Sequence, residues 1–146
     1  MVEQKDIQKK LITYQILENK ANALMKRRDL LLTRMLEIDS TLNSIDELEK
    51  SGGENILLPI GSSVHVKGGL KKVDKMIVGL GANTAIESTV EKTKKILEKR
   101  RKILENGLAS LEREMVALNN EIVKLQPEIQ AMLRGVNKPS SDLTAG

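Results

Sequence analysis

No cysteine, tryptophan or phenylalanine occurs in the 146 residues, and Tyr14 is the single large aromatic side chain. Without cysteine the chain can form no disulfide, offer no thiolate to a metal and present no thiol nucleophile. That absence is compatible with a reducing compartment. Without large aromatics it lacks the units that dominate thick globular cores. No apolar run reaches the roughly 18 residues that a membrane span needs. Residues 1–10 are charged and have no apolar signal-peptide core. A soluble cytoplasmic protein with no membrane partner is the expectation.

What is present is Leu, Ile, Val, Met and Ala, with 40% hydrophobic and 30% charged residues. This is the mixture of long helices with narrow apolar seams. The net charge is +4, which raises nucleic acid as a partner. The densest basic group is Lys92, Lys94, Lys95, Lys99, Arg100, Arg101 and Lys102, broken by Glu98. No aromatic side chain lies near it to stack on a base, so a solvated helix face is the preferred reading.

From residue 4 to 50 there is neither glycine nor proline. Leu17, Leu24, Leu31, Ile38 and Ile45 recur every seventh residue, in step with Ile7, Tyr14, Ala21, Arg28, Met35, Leu42 and Glu49. This spacing makes helices pair along a seam. The helix would be a rod of roughly 65–70 Å at a rise of about 1.5 Å per residue. Ser51-Gly52-Gly53 supplies its C-terminal cap. The pattern returns from residue 86 to 132, in Val90, Leu97, Leu104, Leu111, Leu118, Leu125 and Met132 beside Lys94, Arg101, Leu108, Met115, Ile122 and Ile129. Arg28, Lys94 and Arg101, at core positions, are expected to reach outward and fix register. Gly107 should weaken the second helix by about 1 kcal/mol relative to Ala. Pro127 removes a backbone hydrogen bond and clashes with the preceding turn, which predicts a kink or fraying from about Val123.

Between the helices the composition changes. Ile56–Ile60, Val64–Val66, Met76–Val78 and Thr84–Ile86 read as four short strands in two hairpins, with Pro59 confined to an edge. Lys67-Gly68-Gly69 reads as a turn, and residues 79–83 as a turn or bulge. Such hairpins are marginal alone, so Ile56, Leu58, Ile60, Val64, Val66, Ile77, Val78 and Leu80 are candidate assembly residues. The fold class predicted is mainly α: a long antiparallel coiled-coil hairpin with two small β-hairpins at its turn. Residues 1–133 form one domain, made of helix 4–51, β segment 54–86 and helix 87–133, followed by a disordered tail at 134–146. With Lys50 facing Glu87, paired numbers sum to roughly 137, and Ile7 meets Gln130.

Little in the chain carries chemistry. His65 lies in an alternating strand with no carboxylate cluster nearby. Gly68-Gly69-Leu70-Lys71-Lys72 lacks the Walker pattern, and Gly79-Leu80-Gly81 lacks the third glycine of a dinucleotide site. No catalytic residue, metal site or cofactor is expected. Apolar side chains gather instead at the free end: Ile7, Leu11, Ile12, Tyr14 and Ile16 on one helix, and Ile129, Met132 and Leu133 on the other. They fit either an adaptable surface for non-specific apolar ligands or seam packing with isolated surface apolars.

The layout of helix, double hairpin and helix resembles the α-class subunits of prefoldin, of the archaeal type. The resemblance is carried by Leu58-Pro59-Ile60-Gly61-Ser62-Ser63-Val64-His65-Val66-Lys67-Gly68 and by Ile77-Val78-Gly79-Leu80-Gly81-Ala82-Asn83-Thr84-Ala85-Ile86-Glu87. It covers about residues 4 to 133. It implies a hexamer with β-class prefoldin subunits, two α and four β, in which the hairpins join an oligomeric β-barrel. It also implies an ATP-independent chaperone that binds unfolded polypeptides at the coiled-coil tips and passes them to a group II chaperonin. Two other readings remain open: a structural coiled-coil tether without client activity, and a basic nucleic-acid-binding coiled coil.

Overall fold

The computed structural model describes residues 4–137. Its elements are α1 (Gln4–Ser51), β1 (Ile56–Gly61), β2 (Val64–Gly68), β3 (Lys75–Gly81), β4 (Thr84–Thr89) and α2 (Val90–Asn137). The expected class is observed: two long helices with two small antiparallel strand pairs between them. Of the tail expected to be disordered, residues 134–137 belong to α2 and the remainder lies outside the described residues. The chain divides into a terminal unit, residues 1–30 with 108–146, and a central unit, residues 31–107.

In the terminal unit the apolar seam closes on itself. Ile7, Leu24, Leu111, Leu118 and Ile129 are buried, and Tyr14, Leu17, Ala21, Met115, Ile122, Leu125 and Met132 are half-buried. These are the residues that the seven-residue repeat places inward, because an apolar side chain every 3.5 residues keeps one stripe facing the partner helix. The helices run antiparallel, with Lys10 Nζ 2.8 Å from Glu128 Oε2 and Gln126 Nε2 donating to the Tyr14 hydroxyl at 3.0 Å. Tyr14 is thereby held at the seam edge, and its hydroxyl donates in turn to Glu18 Oε1 at 3.3 Å. Fraying from Val123 is not found. Pro127 deprives the Val123 carbonyl of its helical donor, yet α2 continues to Asn137, and Ile129 beyond the proline stays buried.

In the central unit the seam is mixed. Ile45 and Leu97 are buried, but two inward positions carry cations. Lys94 Nζ reaches Asp46 at 2.9 Å and Glu49 at 3.0 Å, and Arg101 grips Asp39 at 2.7 Å and Glu105 at 2.6 Å. Leu48, not Glu49, is half-buried at the end of α1. The cross-helix pairs of this unit sum to 140 or 143, and those of the terminal unit to 138 or 140. The register thus lies one to six residues from the roughly 137 expected from sequence, within one turn for all pairs but Lys94–Glu49. The cause is local. β4 extends to Thr89, whose hydroxyl accepts from the Lys92 amide at 3.2 Å and caps α2, so this helix begins at Val90 and not at residue 87.

The two hairpins share one design. β1 pairs β2 with Leu58 opposite Val66 and Pro59 opposite His65; β3 pairs β4 with Val78 opposite Ile86 and Gly79 opposite Ala85. Every paired position in the first recurs 20 residues later in the second, including the register shift before the turn, and the second adds Lys75 opposite Thr89. Ser62 and Ser63 close the first turn and Ala82 and Asn83 the second, all four with positive φ. Two positive φ values in a two-residue loop match the right-handed twist of the flanking strands. Lys67 and Gly68, read from sequence as part of a turn, instead belong to β2, because the chain reverses at Ser62-Ser63. The linker between hairpins is tied down where the Leu70 amide donates to the Gly53 carbonyl at 2.9 Å. Gly53 is left-handed, φ 67°, and a Cβ there would stand 3.2 Å from the Leu70 Cβ.

Candidate binding surfaces

A two-stranded sheet can bury only one face against its own chain, and the hairpins use this option unequally. In the second, Val78 is buried at 6% exposure and Met76 half-buried, while Ile77, pointing to the other face, is 80% exposed. In the first, Ile56 is half-buried, but Leu58, Ile60, Val64 and Val66 are all exposed. Leu80 is exposed too. Of the eight candidate assembly residues, then, six are exposed, Ile56 is intermediate and Val78 is packed within the chain. Leu57, Leu70 and Ile86 are also exposed and escaped the sequence reading. The uninterrupted run Ile56-Leu57-Leu58 was the available signal, since a strand apolar at successive residues is apolar on both faces.

At the termini the candidate client residues separate into two groups. Ile7 and Ile129 are each 7% exposed, and Tyr14 and Met132 are half-buried; these four belong to the seam. Leu11, Ile12 and Leu133 are exposed, as is Ile16. Leu11, Tyr14, Gln126, Ile129 and Gln130 line a shallow groove in this unit. Its lining joins apolar side chains to the amides of Gln126 and Gln130, a group that can both donate to and accept from a peptide backbone.

Electrostatics concentrate in the central unit. The Lys94 ammonium donates to Asp46 and holds its carboxyl below the ordinary 3.8, with the Lys94 charge reinforcing the effect. Lys94 is raised in turn, first by its hydrogen bond to Asp46 and then by that to Glu49. Arg101 is raised chiefly by its hydrogen bond to Asp39. These cations, expected to reach outward, instead turn to carboxylates of the facing helix. His65 is exposed on β2. Among the described residues no three His, Asp or Glu side chains converge to hold a metal, and no helix is long and apolar enough to cross a membrane.

Known proteins share this architecture. The family model described as Prefoldin subunit matches residues 17–134. Prefoldin subunit alpha of Thermofilum pendens is 30% identical over 87 residues, covering 58% of this chain and 66% of that protein. The protein of the same name from Methanobrevibacter smithii is 23% identical over 82 residues, 56% of each. The matched region thus spans between 56% and 66% of the length of these two curated relatives. Among solved structures, a filamentous PFD from Methanocaldococcus jannaschii has a TM-score of 0.68 at 25% identity, over 78% of this chain and 95% of the other. The prefoldin beta subunit from Thermococcus strain KS-1 has a TM-score of 0.61 at 17% identity, over 92% and 96%, and shares the fold.

Proposed function

The chain belongs to the prefoldin subunit family, and from that premise we propose that it is the α-class subunit of an ATP-independent chaperone. Its hairpins assemble with β-class subunits, in a complex of two α and four β chains whose strands close a β-barrel. The complex holds unfolded polypeptides at the coiled-coil ends and passes them to a group II chaperonin in the cytoplasm. The observation that carries this reading is apolar surface left over in two places for two different reasons. On the hairpins Leu57, Leu58, Ile60 and Ile77 are exposed because two strands cannot cover themselves. At the termini Leu11, Ile12, Ile16 and Leu133 are exposed although the seam beneath them is already complete. With no nucleotide step, capture rests on many weak contacts made by several subunits at once, where linkage supplies the affinity.

The test is light scattering of a chemically denatured protein diluted with this chain and a β-class partner, without ATP. Suppressed aggregation is expected, together with a large complex on size-exclusion chromatography. Removing residues 1–16 and 128–146 should abolish most of the suppression and leave the complex intact. Equal protection by the trimmed complex contradicts capture at the ends, and an intact complex that slows nothing favours a structural tether.

A further inference from the structure

Seven basic side chains lie between Lys92 and Lys102, and the fold divides them into two sets. Lys94 and Arg101 are spent on carboxylates of the facing helix, and Arg100 donates to the Gly79 carbonyl at 2.7 Å. All three are half-buried. Lys92, Lys95, Lys99 and Lys102 are exposed, and among the described residues none of the four takes part in an ion pair. Their spacing of three, four and three residues places them in one row, since residues three and four apart share a helix face. At about 1.5 Å per residue the row is roughly 15 Å long.

Like charges at this spacing oppose helix formation. Glu91 and Glu98 stand four residues before Lys95 and Lys102, but among the described residues neither closes an ion pair with them. Ile103 is 62% exposed and follows Lys99 by four residues, adding an apolar point beside the row. Glu91 and Glu98 are exposed close by in sequence and repel any anion set against them, so a partner must place its anions at the lysines and none at the glutamates. A continuous phosphate backbone cannot leave such gaps, and no aromatic side chain is there to stack on a base. Discrete carboxylates are accommodated by point charges spaced along a helix.

We propose that the row Lys92, Lys95, Lys99 and Lys102 docks an acidic helical segment of a partner protein. The carboxylates of that segment recur at three- and four-residue spacing, and one of its apolar side chains covers Ile103. The surface uses none of the residues assigned to assembly or to client capture, so it stands apart from that reading.

Fluorescence anisotropy of the full chain tests it. The probes are a labelled helical peptide with glutamates three and four residues apart around a leucine, a peptide of equal composition with its glutamates clustered, and a DNA oligonucleotide. At about 0.1 M salt, charges interact over roughly 10 Å, so contacts with all four lysines register. Joint Lys92→Gln, Lys95→Gln, Lys99→Gln and Lys102→Gln substitution should weaken binding of the patterned peptide by about tenfold or more, as loss of several weak exposed ion pairs does. Arginine at the four positions should retain binding. Glutamine at Lys67, Lys71, Lys72 and Lys75, an equal change of charge elsewhere, should leave it unchanged. Absence of peptide binding, equal loss in both glutamine variants, no preference for the patterned peptide, or tighter binding of the oligonucleotide overturns the proposal.

Discussion

The terminal and central units both expose apolar side chains, but for opposite reasons. In the terminal unit the helices satisfy one another: Ile7, Leu24, Leu111, Leu118 and Ile129 are buried, and the exposed Leu11, Ile12, Ile16 and Leu133 are additional to that seam. In the central unit Leu36 and Ile103 are exposed on the helices, but Leu57, Leu58, Ile60, Val64, Val66, Ile77, Leu80 and Ile86 are exposed on two-stranded sheets. A surface that is surplus can be covered and uncovered without cost to the fold, as a transient ligand requires. A surface that lacks a layer calls for a permanent partner, as obligate interfaces do. The seams differ in the same sense. The terminal seam is apolar, whereas the central one carries Lys94 and Arg101 in ion pairs, which favour one register over others more than they add stability.

The sharpest way to break this comparison is Ile77→Asp. The side chain is 80% exposed, so the isolated chain should keep its helicity by circular dichroism while complex formation with a β-class partner is lost on size-exclusion chromatography. Retained assembly would remove Ile77 from the interface. Next in size is Ile7→Ala with Ile129→Ala, which opens the seam and should cost about 2 kcal/mol or more per site in denaturant unfolding. Serine at Ile12, on the exposed side, should change stability by less than about 0.5 kcal/mol. A smaller gain is expected from Gly107→Ala. Its Cβ would meet Leu31 Cδ1 at 3.9 Å, an ordinary contact, so unfolding should show about 1 kcal/mol of stabilisation from helix propensity alone. The smallest effect concerns pH. Asp46 is held below its ordinary 3.8 by Lys94, so its contribution is present above that value and fades as pH falls through the lower folded value. Thermal melts of wild type should therefore decline more than those of Asp46→Asn between about pH 5 and pH 2. Lys94, raised in the folded chain, contributes until pH climbs above its ordinary 10.5.

The helices were legible because their signal is periodic and local. With the exception of Glu49, every seam position read from the repeat is buried or half-buried. The start of α2 was misplaced because strand pairing overrides the repeat: β4 must reach Thr89 to match Lys75 across the hairpin, and the cap follows from that. Turn chemistry was the other gap. Ser62-Ser63 and Ala82-Asn83 adopt positive φ without the glycines that usually announce it. For the surfaces, the repeat already placed Ile7, Tyr14, Ile129 and Met132 in the seam and left Leu11, Ile12, Ile16 and Leu133 off it. The first four are buried or half-buried and the other four exposed.

The most direct measurement replaces Leu11, Ile12, Ile16 and Leu133 together by serine in the assembled complex, then follows the aggregation of a denatured protein by light scattering. Capture at the termini predicts a complex of unchanged size and unfolding midpoint whose suppression of aggregation falls several-fold. Undiminished suppression by that complex would contradict it.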